Sequence, residues 1–236
     1  MSSFEHLVLV PGMMCDERQW LEQIRYFEGK CSSVSVANTR KADSIERIAE
    51  QILEDTPQIF ALAGLSMGGI IAFEMWRQAP QRISKIALLD TNASAETPER
   101  GEAREILLER VLSGEISSVV ADSLKPQYLA EANRDNQNLL NTIMSMALGL
   151  GKEVFERQSR ALAARPDSVE TLESITVPTL VLCGEEDTLC PVSFHELIAS
   201  HIPQSRLVTL KNCGHLSTME QPVRVNREME TWLKTN

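Results

Sequence analysis

Apolar positions along this chain follow two periods that take turns. Short runs dense in Val, Ile and Leu recur as "HLVLV" (6–10), "SVSVA" (33–37), "IFALAG" (59–64), "KIALLD" (85–90), "PTLVLCG" (178–184) and "RLVTL" (206–210). Most show little polar alternation, as expected of strands buried on both faces of a parallel sheet. Between them lie stretches with a period near 3.6. "SIERIAEQILED" (44–55) sets Ile45, Ile48, Ile52 and Leu53 on one stripe, with Ser44 placed to cap it. "GGIIAFEMWRQAP" (68–80), "SFHELIASHIP" (193–203) and "PVRVNREMETWLK" (222–234) read as helices in the same way. Strand alternating with helix predicts an α/β fold, a mostly parallel sheet of about six strands with flanking helices.

The alternation stops between Asn92 and Val177. Helical patterns follow one another there, at 103–114, 116–130, 136–151 and 153–167, with no strand run among them. About 80 residues of helix is too much for one crossover. The expected organisation is therefore a core formed by 1–92 and 177–236, with a helical cap over 93–176 inserted in it.

Composition narrows the function classes. The net charge of −10 argues against nucleic acid and anionic membrane surfaces as partners, since both require a basic footprint. No apolar run reaches the ~18 residues of a membrane span. Cys15, Cys31, Cys183, Cys190 and Cys213 form an odd set without C-x-x-C spacing, the pattern of free thiols in a reducing cytosol. The opening "MSSFEHLVLVPG" lacks the basic and apolar regions of a signal peptide. A cytoplasmic location is expected, with a small molecule and water as partners and no cofactor or metal.

Gly64-Leu65-Ser66-Met67-Gly68 matches G-x-S-x-G. The five residues alone are weak evidence, but they join a strand run to a helical run. A serine at such a corner projects its Oγ from the sheet edge at a helix N-terminus, and flanking glycines let strand and helix cross closely. It then needs a base. Of the four histidines, His6 lies inside the first strand run, and His195 and His201 lie on a helical stretch, where a solvated or half-buried setting is expected. His215 falls in the loop after "RLVTL", at the strand edge where open α/β sheets place their chemistry. The metal reading suggested by Cys213 finds no second ligand cluster. An acid must orient His215. Asp187 follows a strand run, with Glu185, Glu186 and Asp90 as competitors.

In that order, "GLSMGG", "GEEDTLCP" and "NCGHLSTMEQP" resemble the nucleophile elbow, acid loop and histidine loop of the α/β-hydrolase superfamily, in particular its small capped serine esterases. The resemblance covers nearly the whole chain. It implies that Ser66 attacks, His215 is general base and then acid, and Asp187 orients the imidazole. It also implies an oxyanion hole from the backbone N–H groups of Met67 and Met13. Two departures stand out. Pro11 occupies a position where the family often has histidine, and the family's leading antiparallel strands are missing.

An acyl ester with an apolar part is the expected substrate. Met14, Met144 and Met146 are expected to line its pocket, since methionine suits adaptable apolar walls. Arg157, Arg160 and Arg165 offer a grip for a carboxylate or phosphate, against the alternative of a solvated helix face. The same triad would serve a thioesterase, a C–C hydrolase, a lyase or a perhydrolase. A ligand-binding receptor that keeps the fold with little turnover is the competing class.

Overall fold

A computed structural model describes residues 4–235. Six strands, β1 (Phe4–Val10), β2 (Cys31–Val36), β3 (Phe60–Leu65), β4 (Ile83–Leu89), β5 (Thr179–Gly184) and β6 (Ser205–Leu210), form one sheet in the order β2-β1-β3-β4-β5-β6. Every neighbouring pair is parallel. The chain passes from β1 to the edge strand β2 and then returns across β1 to β3. The loops after β1 and β3 therefore diverge in opposite directions, and a crevice opens at their C-terminal ends.

Helices α1 (Leu21–Phe27), α2 (Ile45–Asp55) and α3 (Met67–Gln78) connect the first four strands. Between β4 and β5 the chain is helical, with α4 (Pro98–Arg110), α5 (Ile116–Ser118), α6 (Lys125–Tyr128), α7 (Gln137–Leu150), α8 (Lys152–Ala163) and α9 (Val169–Leu172). Helices α10 (Val192–His201), α11 (Ser217–Glu220) and α12 (Pro222–Leu233) follow β5. The sheet is thus interrupted by a helical insertion. Ser44 caps α2 as its position suggests, its side chain accepting from the Arg47 N–H.

Strand alternation sorts the core into two layers. Val8, Val10, Leu62, Ile86, Leu88 and Val181 pack with the apolar sides of α2, α3 and α10. Leu7, Leu9, Ala63, Leu89 and Leu182 pack on the other face with Trp20, Phe27, Met229 and Trp232 from the α1 and α12 layer. Both faces of β3 are covered, so truncating Leu62 to Ala would cost ~2–5 kcal/mol.

The insertion has its own small core of Leu108, Val111, Val119, Val120, Ala147, Val154 and Phe155, joined by Met14 from the body. Thr97 caps α4 and Pro98 opens it. Gly114, at φ 104°, then kinks the path inside the wider π-helical turn Val111–Glu115, ahead of a second such turn at Val119–Leu124. The insertion is clipped to the loop that carries His215. The His215 N–H donates to the Tyr128 carbonyl at 2.8 Å. Glu220 completes the clip, accepting from the N–H groups of Gly214 and Ala130 at 2.8 Å each and from Asn133 Nδ2 at 2.9 Å. A Cβ on Gly214 would stand 2.7 Å from the Ala130 nitrogen, so only glycine permits this approach.

Candidate active site

Ser66 ends β3 and begins α3 with φ 56° and ψ −117°, a conformation costing of order 1–3 kcal/mol for a residue with a Cβ. Its surroundings leave no alternative path. A Cβ on Gly64 would stand 2.2 Å from the Gly68 carbonyl oxygen, and one on Gly68 would stand 2.1 Å from that of Val10. The corner is also tied from outside. Thr91 Oγ1 donates to the Ser66 carbonyl at 2.7 Å, and the Thr91 N–H donates to His195 Nε2 at 2.8 Å. His195 is fully buried, contrary to the half-solvated setting its helical position suggested. Burial lowers its pKa to about 4, which keeps the imidazole neutral and able to accept.

Three side chains named from sequence stand in one hydrogen-bonded line. His215 Nε2 lies 2.9 Å from Ser66 Oγ, and His215 Nδ1 lies 2.8 Å from Asp187 Oδ2. Asp187 Oδ1 accepts from the Leu189 and Cys190 N–H groups at 2.9 Å each, which locks the carboxylate in place. Burial alone would lower the His215 pKa. The charge and hydrogen bond of Asp187, with help from Asp90 and Glu220, outweigh it and hold that pKa above the ordinary 6.5.

The other acids are engaged elsewhere. Glu185 is exposed, and Glu186 accepts from the Glu131 N–H. Asp90 is buried, but its two oxygens accept from the Gly184 and Ser217 N–H groups, at 3.0 and 3.2 Å. It pins the acid loop and the histidine loop to the end of β4. Burial and the nearby Asp187 charge raise its carboxyl well above the ordinary range. Asp187, Cys190 and His215 bring ligand-type atoms within 4.8 Å of one another. The donor set suits a metal poorly, because Asp187 and His215 are bonded to each other and burial drives the Cys190 thiol upward, away from thiolate.

The loop after β1 bends around Gly12 and Met14. The Gly12 N–H donates to Gln19 Oε1 at 2.9 Å and the Met14 N–H to Gln158 Oε1 at 2.8 Å. Gln158 is itself held by Thr39, through bonds of 3.2 Å to its carbonyl and hydroxyl. Between these props the Met13 N–H, like that of Met67, donates to no acceptor among the described residues. Two glutamines thus brace a loop in which Pro11 replaces the family's usual histidine. Neither was anticipated, and a partner 144 positions away leaves no local signal.

A cavity of about 310 Å³ opens above Ser66, with Met13, Met67 and His215 on its wall. None of the three methionines expected there, Met14, Met144 and Met146, is on that wall. Met14 is buried in the insertion's cluster, Met144 packs against the same cluster, and Met146 lies in the core layer with Tyr128 and Leu129. The apolar side of α7 is used to seat the insertion on the body, which turns these side chains away from the cavity. Ile70, Leu107, Leu124 and Leu189 supply the apolar wall instead. Tyr128 stacks on the His215 ring at a centroid distance of 5.9 Å. Of the three arginines singled out, Arg165 reaches the cavity wall, joined by Glu96, Arg100 and Arg104. Arg157 donates to the Arg40 carbonyl, and Arg160 pairs with Glu156 on the surface.

A family model described as the alpha/beta hydrolase fold matches residues 29–222. The chain is 25% identical over 200 residues to a pimeloyl-[acyl-carrier protein] methyl ester esterase of Aromatoleum aromaticum, covering 77% of each chain. It is 24% identical over 233 residues to 3-oxoadipate enol-lactonase 2 of Acinetobacter baylyi, covering 91% of this chain and 83% of the other. Among solved structures, a thermophilic esterase from Thermogutta terrifontis in a malate-bound form superposes with a TM-score of 0.89 at 29% identity, over 98% of this chain and 90% of that one. Six parallel strands, a helical insertion after the fourth, a serine at the strand-to-helix corner and a family match over most of the sequence agree. The chain belongs to the α/β-hydrolase fold family.

Proposed function

We propose that the protein is a serine hydrolase that cleaves a small carboxylic ester through an acyl-enzyme. One observation carries the reading, the unbroken line from Asp187 through His215 to Ser66 on the wall of a cavity. The names of the relatives, esterases and an enol-lactonase, support ester hydrolysis as the bond type.

Ser66 Oγ attacks the acyl carbon as His215 Nε2 takes its proton. Asp187 holds the Nδ1–H tautomer and stabilises the imidazolium that forms. The oxyanion is received by the N–H groups of Met67 and Met13, with the N-terminus of α3 adding its dipole. Collapse expels the alcohol, which takes the proton from Nε2. Water then adds to the acyl-enzyme with His215 again as base, and collapse releases the acid and restores Ser66. Residues 93–176 act as the cap that closes this chemistry from bulk water. Five free, buried cysteines fit a cytoplasmic setting.

Labelling with a fluorophosphonate probe, alongside p-nitrophenyl ester hydrolysis, tests the reading. The wild-type chain is labelled and turns over, and Ser66→Ala loses both. A folded wild-type protein that is neither labelled nor active on a panel of esters favours the low-turnover receptor.

A further inference from the structure

Four charged side chains line the cavity besides the catalytic line: Glu96, Arg100, Arg104 and Arg165. Three guanidiniums against one carboxylate leave the wall with an excess of two positive charges, in a chain whose net charge is −10. Glu96 Oε2 accepts from Arg104 Nε at 2.9 Å and from Arg104 Nη2 at 2.6 Å, and it pairs with Arg165 Nη1 at 3.0 Å, while Arg165 donates to the Ser94 and Leu162 carbonyls. The side chains of Glu96 and Arg165 are 4% and 3% exposed. Burial alone would raise the Glu96 carboxyl, but the two arginines outweigh it and hold it below its ordinary range. It is therefore ionised, and it neutralises only one of the three cations.

The remaining capacity faces the crevice. Arg100, in the first turn of α4, donates through Nη2 to the Leu189 carbonyl on the acid loop, and its guanidinium lies 5.7 Å from the Phe194 ring. Its Nε and Nη1 have no acceptor among the described residues. Among the described residues Arg104 Nη1 finds one hydrogen-bond partner, the Met13 sulfur at 3.7 Å, on the loop proposed to receive the oxyanion. Arg165 is also held by two carbonyls, but Arg100 and Arg104, at a half-buried wall with one carbonyl and one shared carboxylate between them, carry a desolvation cost that a second anion would offset.

Resting on the ester-hydrolase reading above, we infer that the substrate carries a free carboxylate, gripped by Arg100 and Arg104 with Arg165 behind them. The preferred ester is then a half-ester of a short dicarboxylic acid, or a cyclic ester bearing a carboxylate. Glu96 shows the same chemistry next door, one carboxylate oxygen held between the guanidiniums of Arg104 and Arg165. The cavity sits at the small end of ligand sites, which run roughly 300–1,000 Å³. A planar carboxylate is the compact anion that matches an arginine fork there.

The test compares monomethyl glutarate with dimethyl glutarate, which differ by one methyl group and one charge. The wild-type protein is expected to favour the anionic half-ester by about tenfold or more in kcat/KM, a scale set by charge-assisted hydrogen bonds. In Arg100→Gln and, separately, Arg104→Gln, the ratio of the two kcat/KM values falls at least tenfold, mainly through KM of the anionic ester. A structural role would lower both values together and leave the ratio where it was, and that outcome overturns the proposal. So does a wild type with no preference, or one that instead favours a phosphate-bearing ester of matched length. Fluorophosphonate labelling of each variant separates the two levels. Labelled protein without charge preference rejects the carboxylate alone, whereas unlabelled wild type rejects the hydrolase reading beneath it.

Discussion

Replacing Asp187 by Asn is the most discriminating single change, because the surrounding donors dictate how the new amide must sit. Oδ1 accepts two backbone N–H bonds, from Leu189 and Cys190, while Oδ2 faces His215 Nδ1. An Asn that turned its NH2 toward the two N–H groups would oppose donors to donors at two contacts. It therefore keeps oxygen there and presents NH2 to Nδ1. The imidazole must then accept at Nδ1, which moves its proton to Nε2 and points a donor at Ser66 Oγ. A base in that tautomer cannot take the serine proton. The expected loss in kcat is about 10⁴-fold, or ~5 kcal/mol of barrier. The fold is retained, since shape and both loop bonds survive. Steady-state hydrolysis of a p-nitrophenyl ester, with circular dichroism as the folding control, measures it. Asp90→Asn is the matched control. Each Asp90 oxygen faces one backbone N–H, so one contact is spoiled at a cost of about 1–3 kcal/mol in stability, with kcat held within tenfold. An Asp187→Asn enzyme within tenfold of wild type, beside a crippled Asp90→Asn, would falsify the assignment of the acid.

His215 must be neutral to accept a proton, and Asp187 holds its pKa above 6.5 despite burial. The acid limb of kcat/KM is accordingly expected to have its midpoint above pH 6.5, with activity falling as pH drops through it; a midpoint below 6.5 contradicts the contact. Gly68→Ala places a Cβ 2.1 Å from the Val10 carbonyl oxygen, so soluble expression should collapse, and a variant with an unchanged melting temperature would show that the elbow can relax. Glu220→Gln turns an NH2 onto at least one of three donors that clip the insertion to the histidine loop. A loss of about 1–3 kcal/mol, or roughly 2–12 °C in Tm, is expected by calorimetry, and no change would mean the clip is dispensable.

The sheet and the reactive line were legible because their signals are local. A strand buried on both faces must be apolar throughout, and a serine corner must keep glycines where backbones touch, so each motif declares itself within about ten residues. Which acid orients His215 was less legible. Glu185, Glu186, Asp187 and Asp90 all end or follow strands, and composition cannot rank them. Burial and donor supply decide it, since Asp187 alone combines two loop N–H donors with a free oxygen toward the ring.

The cavity wall was the least legible part, and the reason is physical. Methionines at helical spacing in α7 look the same in sequence whether they face a ligand or a neighbouring helix, and here Met146 seats the insertion on the body while Met144 packs into the insertion's own core. The charged wall assembles from positions with no shared pattern. Glu96 precedes α4, Arg100 and Arg104 lie one turn apart on it, and Arg165 follows α8. One carboxylate joins Arg104 to Arg165, and Arg100 is held separately by the Leu189 carbonyl, long-range contacts without a period. On the proposed function the division follows the chemistry: bond cleavage falls to the sheet edge, where backbones touch, and choice of substrate to the insertion, where a single side chain can change the charge of the wall. Substitutions at Arg100 should therefore shift specificity with the reactive line intact, whereas none at Gly64 or Gly68 can do so, because there the backbone itself has no room.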